Sequence, residues 1–192
     1  PSWIRITGCT GWVAAGLGLG LASPAYTIGA TITRAGHFSQ VPTLDGLAYL
    51  ARDHRDDYEA IQWLNANATD SSVVLEVTGD PYSYFARVST NTGIPTLLGW
   101  ANHEHVWRAG AYGIDQEFER RRSAIDQIYT SSNPFEALSI LERYQVRYVF
   151  IGDLERARYT DENLKKFAGP LEEVFHHGDT IVYKVPQAAM SR

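Results

Sequence analysis

Residues 99–110, which read GWANHEHVWRAG, concentrate side chains that can bind ligands or transfer protons. The segment holds two tryptophans, two histidines, a glutamate and an arginine, and it begins just after the apolar run 94–98. Histidine and carboxylate side chains act as general acids and bases when burial and neighbouring charges shift their pKa values. Aromatic walls with a few polar groups are typical of ligand sites. This segment is therefore the first candidate for a functional site.

Catalytic and metal-binding interpretations of the segment rest on its two histidines. His103 and His105 form an HxH pair, which binds a metal when it lies on a strand, because alternate side chains share one face there. The pair has no identified third ligand, and Trp107 replaces the second histidine of the zincin motif HExxH, so no metal site is predicted. His103 with Glu104 would instead form the acid and base of a self-sufficient soluble hydrolase or metalloenzyme, although no GxSxG nucleophile motif accompanies them.

A structural interpretation of the same segment is the main alternative to a site. Trp100 and Trp107 would be packing residues, since aromatic side chains contribute strongly to cores. Glu104 and Arg108 are four residues apart and would form an ordinary ion pair on a helix. The domain would then have a structural or protein-interaction role without a site.

Carbohydrate or lipid-phosphate binding fits the residue types of the segment better than catalysis. Sugar sites combine aromatic faces with carboxylates, amides and arginines, and arginine suits bidentate phosphate contacts. The two tyrosines of YSYF (82–85) are expected to pack around a turn. Neither a catalytic residue nor a cofactor is assigned. The predicted substrate-binding residues are Arg87, Trp100, Asn102, His103, Glu104, Trp107, Arg108, Asp153 and Glu155.

The elements that must position these residues follow the pattern of an α/β domain. Helical spacing of apolar residues predicts helices over 47–67, 114–128 and 135–144. β-branched runs predict strands over 71–77, part of 94–98 and 146–152, and a hairpin over 171–185 around a Gly-Asp turn. The alternation of helix and strand predicts a mostly parallel, Rossmann-like sheet flanked by helices, with the hairpin at its C-terminal end.

Three polar loops follow the predicted strands, over 78–87, 99–108 and 152–159. Functional loops of parallel sheets gather at the carboxyl ends of the strands, so these loops are expected at one edge. In the third loop, Asp153 is expected to be the N-cap of a helix. If the loops converge, Asp153 and Glu155 join the cluster around His103.

The N-terminal segment has a different composition. No charged residue lies between Arg5 and Arg34, and this length suffices to span a bilayer. Trp12 and Tyr26 would anchor the span at the two interfaces. A signal-like segment and a Gly-rich soluble segment are the alternatives. The predicted organisation is a transmembrane helix with its flank over 1–35, a linker over 36–42, a soluble domain over 43–186 and a tail over 187–192.

Charge and cysteine content exclude some functions. The formal net charge is −5, which argues against a nucleic-acid partner because such proteins cluster Lys and Arg on one face. Cys9 is the single cysteine, so an intrachain disulfide and a cysteine-based zinc site are impossible.

A specific combination of motifs runs through the domain in four segments. They are TLDGLAYL (43–50), YSYFARVSTNTGIPTLLGWANHEHVWR (82–108), IYT (128–130) and RYVFIGDLER (147–156). In this order they resemble, over about residues 40–185, the C-terminal soluble region of the YYY family of membrane proteins. That family looks like type C glycosyltransferases, with many transmembrane helices, a lipid-linked sugar donor and an extracytoplasmic C-terminal domain.

The resemblance implies a cell-membrane protein with its soluble domain on the extracytoplasmic side. The N-terminal span would be the last transmembrane helix, in contact with the bilayer through residues 6–33, and its partner would be the rest of the membrane domain. Type C enzymes carry their catalytic carboxylate in an early extracytoplasmic loop, so the catalytic residues would lie outside this chain. The chain's own status as an enzyme stays open. Its domain would cap the membrane active site and bind sugar or lipid phosphate, for which a polyprenyl-phosphate sugar is the expected ligand.

Overall fold

The computed structural model describes residues 2–39, 43–69 and 72–186. The chain divides into two compact units, residues 1–46 and residues 47–192. The predicted tail 187–192 and residues 40–42 of the predicted linker lie outside the described residues, as does Ser71 at the start of the first predicted strand.

The N-terminal unit is dominated by one helix, α1, over Ser2–Arg34, and a short 3-10 turn over Gly36–Phe38 follows it. Within α1, the stretch Thr10–Arg34 has a mean hydropathy of 1.3 and is long and apolar enough to cross a membrane. Threonine hydroxyls of this stretch donate to helix carbonyls four residues back, as Thr27 does to Ser23. These hydroxyl groups therefore have hydrogen-bond partners within the helix. The predicted apolar helix is confirmed, and its insertion into a bilayer stays a prediction.

The second unit contains short helices around a four-stranded sheet. The helices are α2 (Ala48–Asp53), α3 (Arg55–Asn67), α4 (Arg87–Thr92), α5 (Ala101–Trp107), α6 (Ile114–Thr130), α7 (Pro134–Arg143), α8 (Asp153–Arg158) and α9 (Asp161–Lys165). A 3-10 turn covers Lys166–Ala168. The strands are β1 (Val74–Leu75), β2 (Tyr148–Ile151), β3 (Glu172–His177) and β4 (Thr180–Lys184). The α/β class is confirmed, and the predicted helix 47–67 is divided at His54, where the backbone leaves helical geometry.

The sheet is mixed, so the prediction of a mostly parallel sheet is wrong and a Rossmann-like arrangement is unconfirmed. Its strand order is β1-β2-β4-β3, and β1 and β2 run parallel while the other two neighbouring pairs are antiparallel. The predicted strand within 94–98 makes only an isolated parallel bridge, Val74 to Thr96. Pro95 lacks a backbone N–H and cannot extend that ladder, although its carbonyl accepts from Val74.

The predicted C-terminal hairpin is confirmed as β3 and β4, which turn at Gly178 and Asp179. Gly178 has a φ of +54°, a conformation that glycine adopts without steric cost. The carboxylate of Asp56 holds this turn, since it contacts His177 Nδ1 at 2.9 Å and accepts from the Asp179 N–H at 3.0 Å. The hairpin inserts β4 beside β2, and this insertion makes the sheet mixed.

Both faces of the sheet are covered by apolar packing. On β2, Val149 and Ile151 pack in a core cluster that includes apolar residues of α6 and α7, whereas Tyr148 and Phe150 pack in a cluster with α3 residues. Successive strand side chains point to opposite faces, so these two clusters are the two layers of the domain core. The sheet therefore lies between two helical layers. Because both of its faces are covered, a site would be formed by the loops at its edges.

Candidate functional site

The three polar loops that follow the predicted strands are connected by hydrogen bonds near their starts. The Thr78 hydroxyl donates to the Gly99 carbonyl at 2.6 Å, and the Val77 N–H donates to Glu155 Oε1 at 2.9 Å. These contacts follow from the parallel arrangement of β1, β2 and the Val74–Thr96 bridge, because parallel strands end at the same edge. The starts of the loops therefore lie close together, and side-chain-to-backbone hydrogen bonds connect them.

Four ring side chains lie together on the surface at this edge, and we call them the aromatic platform: Tyr82, Trp100, His103 and Trp107. The His103 ring centroid lies 5.3 Å from that of Tyr82, 6.0 Å from Trp100 and 5.9 Å from Trp107. Tyr82 is 79% exposed and Trp107 is 78% exposed. Large aromatic rings left in water and clustered in this way are characteristic of interaction sites.

The first loop folds back to present Tyr82. Both Tyr82, at a φ of 56°, and Ala86, at a φ of 60°, adopt the left-handed conformation, which costs energy for a residue with a side chain. Phe85 packs so tightly over Gly79 that a methyl group at position 79 would overlap its ring. Strained backbone of this kind is concentrated at functional sites. Tyr82 is not the packing residue that was expected, whereas Tyr84 is half-buried and packs against a core cluster.

Trp100 fixes the second loop to the first. Its indole Nε1–H donates to the Phe85 carbonyl at 2.7 Å, and its ring lies 5.5 Å from Tyr82. Helix α5 begins at the next residue and carries the rest of the segment. His103 and Trp107 are four residues apart, so they share one face of the helix, and the Trp107 Nε1–H donates to His103 Nε2 at 3.0 Å.

The two histidines of the HxH pair diverge. They lie on a helix and not on a strand, so residues two apart project about 200° apart. His105 Nε2 contacts Asp115 Oδ1 at 2.8 Å, on the side where the ring of Phe118 in α6 lies 6.3 Å away. The described residues contain no group of three side chains that could hold a metal ion. The geometry gives the metalloenzyme alternative no support.

Glu104 and Arg108 have the relation that the structural interpretation predicted. Glu104 Oε1 accepts from the Gly99 N–H at 3.1 Å, and its Oε2 lies 3.7 Å from Arg108 Nη2. The carboxylate thus closes the turn that leads into α5. Asn102 and the Arg108 guanidinium are exposed beside the platform.

We expect Glu104→Ala to lower the free energy of unfolding by about 1 to 2 kcal/mol, because it removes a charge-assisted hydrogen bond to a partly buried N–H. Glu104→Gln keeps an acceptor for Gly99 and should cost about half as much or less. Urea denaturation of both variants checks this difference. Equal losses for Gln and Ala would contradict the assigned hydrogen bond.

The predicted residues Arg87 and Glu155 lie away from the platform in a group that we call the buried charge cluster: Asp57, Glu76, Arg87 and Glu155. The Arg87 side chain is 1% exposed, and its Nη2 donates to Glu155 Oε2 at 2.6 Å while its Nε donates to Asp57. Its guanidinium is therefore not presented to a ligand from solvent. This placement distinguishes Arg87 from Arg108, the other predicted anion-binding arginine.

Hydrogen bonds from four directions satisfy the carboxylates of the buried charge cluster. Asp57 accepts from the Tyr84 and Thr180 hydroxyls, each at 2.7 Å. Glu155 accepts from the N–H groups of Val77 and Gly152, each at 2.9 Å. The cluster thus joins α3, β4, the segment that follows β1 and the start of α8.

Burial disfavours the charged form of both Glu76 and Arg87, but their neighbours outweigh this effect only at Arg87. Burial raises the pKa of Glu76, and this is opposed by the Arg87 charge and by the N–H groups of Ser89 and Val88. Burial alone would lower the pKa of Arg87, but the carboxylates of Glu155 and Asp57 raise it well above its ordinary value. The guanidinium is therefore permanently charged and depends on its buried partners.

Asp153 lies outside both groups. Its carboxylate is 3.2 Å from His54 Nδ1, and the His54 ring stacks on Tyr84 with centroids 3.9 Å apart. Gly152 is the N-cap of α8, so the expected N-cap role of Asp153 is wrong by one residue. None of the hydrogen bonds, ion pairs and ring contacts found in the described ranges joins Asp153 or Glu155 to α5.

Sequence reasoning missed Tyr82, Asp57 and Glu76. Asp57 shares the buried face of α3 with Ala60, Ile61 and Leu64. A carboxylate on the apolar stripe of a predicted helix could have indicated a buried charge. Glu76 lies inside the apolar run VVLEV and gave the same kind of signal. Tyr82 had no such signal, because its exposure depends on the left-handed turns of the loop.

The platform is open to solvent at Tyr82 and Trp107. An open groove of about 550 Å³ lies between α6 and α7, lined in part by Glu119, Arg120 and Tyr144. A second groove, of about 340 Å³, lies between the end of α3 and residues 92–95. Neither groove is lined by a residue of the platform.

The fold is similar to a solved structure, the C-terminal globular domain of an oligosaccharyltransferase from Archaeoglobus fulgidus. The TM-score is 0.40 and the sequence identity 15%, over 67% of this chain and 95% of that chain. No family model matches the sequence, and none of the curated proteins matches it. Membership of the YYY family therefore stays a prediction.

Proposed function

We propose that this chain binds carbohydrate at the aromatic platform, as the extracytoplasmic domain of a glycosyltransferase-like membrane protein. The observation that carries the proposal is the pair of exposed rings, Tyr82 and Trp107, held around His103 on a well-packed domain. The apolar faces of these rings are available to the C–H faces of a sugar, and burying them would release water from apolar surface.

The platform is preorganised for a ligand. Trp100 is fixed by its hydrogen bond to Phe85, and Trp107 by its hydrogen bond to His103. A ligand therefore meets rings whose orientation needs little further ordering, and a smaller entropic cost of binding results. The strained backbone at Tyr82 supports the same interpretation, because its energy is offset by the rest of the fold.

Polar groups suited to hydroxyl and phosphate recognition flank the rings. Asn102 offers an amide, and Arg108 offers a guanidinium whose side chain is 60% exposed. Since Arg87 is sealed in the buried charge cluster, Arg108 is the proposed contact for the phosphate of a lipid-linked sugar such as a polyprenyl-phosphate sugar.

The membrane part of the proposal rests on Thr10–Arg34 and on the motifs of the domain. This stretch of α1 is long and apolar enough to tether the domain to a bilayer. We propose that the tethered domain caps a membrane active site formed by other transmembrane helices and presents the sugar to it. The catalytic groups of that site belong to those helices in this proposal.

Titration of the full chain in detergent micelles with chitotriose, maltotriose and polyprenyl-phosphate mannose tests the proposal. We expect saturable binding of at least one sugar, and a loss of about tenfold in affinity for Trp107→Ala or Tyr82→Ala, because each substitution removes one stacking face. Tyr112→Ala is the matched control, since Tyr112 is fully exposed but lies outside the platform.

The same titration separates sugar from phosphate recognition. Arg108→Gln should lower the affinity for the polyprenyl-phosphate sugar only, and the affinities for the two free oligosaccharides should not change. The proposal fails if no sugar binds saturably, or if Tyr112→Ala reduces affinity as much as Trp107→Ala does.

A further inference from the structure

We infer that Asn67 is a site of N-linked glycosylation, modified by a transferase that takes its glycan from a lipid-linked oligosaccharide. The inference rests on the proposed function in one respect, because it requires the soluble domain to lie on the extracytoplasmic side, where this transfer takes place. It adds a modification to the chain, at a position that the aromatic platform does not use.

Asn67 begins the sequence Asn-Ala-Thr, which has the acceptor pattern Asn-x-Ser/Thr with a residue other than proline in the middle. The chain has six asparagines, and none of the other five is followed by serine or threonine two residues later. The transferase recognises the asparagine amide together with the hydroxyl of the third residue. The sequence therefore offers one acceptor, formed by Asn67, Ala68 and Thr69.

The acceptor lies on the surface, where the chain leaves a helix. Helix α3 ends at Asn67, and Ala68 has an extended backbone with a φ of −78° and a ψ of 148°. The Asn67 and Thr69 side chains are exposed. The Ser72 N–H donates to the Thr69 carbonyl at 2.9 Å, and the hydroxyls of these two residues are 3.1 Å apart, so the acceptor leads into a local turn. A transferase reaches this position without disrupting the packing of the core.

The Asn67 amide retains a proton that transfer can replace. Among the described residues, its nitrogen donates to one acceptor, the Trp63 carbonyl at 2.8 Å. An amide nitrogen carries two protons, so one stays in this hydrogen bond while the other is exchanged for the sugar. Formation of an N-glycosyl linkage therefore does not require the loss of the contact that orients the side chain.

The transfer reaction is balanced without an oxidant or a reductant. A bond forms between Asn67 Nδ2 and the anomeric carbon of the first sugar. The bond from that carbon to the phosphate oxygen breaks, and the lipid phosphate leaves with its electron pair. The displaced amide proton passes to a base of the transferase.

A glycan on Asn67 lies away from the aromatic platform. Asn67 precedes β1, whereas Tyr82 and Trp100 belong to the loops that follow β1 and the Val74–Thr96 bridge. From Asp57, in the buried charge cluster, to Asn67 the helix rises about 15 Å. The two ends of β1 thus separate the acceptor from the platform, and the modification leaves the exposed rings open to a ligand.

Cell-free translation of the full chain in the presence of endoplasmic-reticulum microsomes tests the inference. These membranes supply both the transferase and the lipid-linked oligosaccharide. We expect a decrease in gel mobility that corresponds to one glycan and that peptide N-glycosidase reverses. Mass spectrometry should then find aspartate at position 67, because this enzyme hydrolyses the glycosylated amide.

Three variants locate the modification. Asn67→Gln and Thr69→Ala should each abolish the mobility shift, since the first removes the acceptor and the second removes the hydroxyl. Thr69→Ser keeps a hydroxyl and should keep the glycan. The matched control combines Ala109→Asn with Ala111→Thr, which creates a second acceptor in the exposed loop between α5 and α6. This chain should carry two glycans.

Each result decides the inference. A shift that is lost in Asn67→Gln and in Thr69→Ala supports it, whereas a shift that persists in Asn67→Gln overturns it. If the wild type is unmodified and the control variant carries one glycan, the domain is extracytoplasmic and the inference alone fails. If neither chain carries a glycan, the domain is not translocated, and the extracytoplasmic placement in the proposed function fails with it.

Discussion

Replacement of Arg87 by methionine is expected to lower the free energy of unfolding by about 3 to 5 kcal/mol, the largest single-residue effect that we foresee. Methionine fills the space of the aliphatic stem, but it leaves the buried carboxylates of Asp57 and Glu155 without their shared cation. Uncompensated buried charge costs far more than the loss of an exposed ion pair. Urea denaturation monitored by circular dichroism measures the change.

Arg108→Met is the matched control for this prediction. Its arginine also pairs with a glutamate, but both partners are partly exposed, so we expect a change below about 1 kcal/mol. A similar small change for Arg87→Met would show that the cluster is neutralised in some other way. If Arg87→Met does not fold and Arg108→Met does, the result agrees with the prediction, because the control then shows that removal of an arginine does not by itself prevent folding.

The reason for this sensitivity is that one guanidinium serves several elements. Arg87 begins α4, and its carboxylate partners come from α3 and from α8. Glu76 reinforces the same region by accepting from Val88 and Ser89 at 2.9 Å each. The loop 78–87, which carries Tyr82, ends at Arg87, so the cluster fixes one end of that loop.

Gly152→Ala is expected to lower the free energy of unfolding by about 2 to 4 kcal/mol, through overpacking against a buried polar network. A methyl group at this position would overlap Asp57 Oδ1 and come within 2.9 Å of both Arg87 Nη2 and the Phe150 ring. Asp57 and Arg87 are buried and hydrogen-bonded, so neither moves without losing a partner. Thermal unfolding of the variant, followed by circular dichroism, measures the cost.

Gly169→Ala provides the comparison for Gly152→Ala. No atom lies within 4 Å of a methyl group built at position 169, and its backbone is not left-handed, so we expect a change within about 0.5 kcal/mol. The prediction for Gly152 is wrong if both alanine variants melt at the same temperature as the wild type.

The sequence alone was sufficient for elements with strong local signals. The apolar residues of α6 and α7 recur at helical spacing, and both helices are present within a few residues of their predicted ranges. The hairpin of β3 and β4 follows from two β-forming runs around Gly178 and Asp179. The long uncharged stretch between Arg5 and Arg34 likewise determined a single apolar helix. These features depend on neighbours in sequence, which a sequence displays directly.

The tertiary structure decided which strands pair and which charged residues are exposed to solvent. The alternation of helix and strand predicted parallel pairing, but β4 lies beside β2, and this position has no local signal. Pro95 limits the pairing of its segment, and here the sequence did carry a signal, because proline lacks a backbone N–H. Arg87 and Arg108 cannot be distinguished by residue type. In the structure Arg87 is buried and paired with Asp57 and Glu155, whereas Arg108 is exposed. Burial of a charge depends on partners far along the chain: Asp57 is 30 residues from Arg87 and Glu155 is 68. Residue types were therefore enough to select the candidate segment 99–110, whereas long-range packing determined which other predicted residues lie beside it.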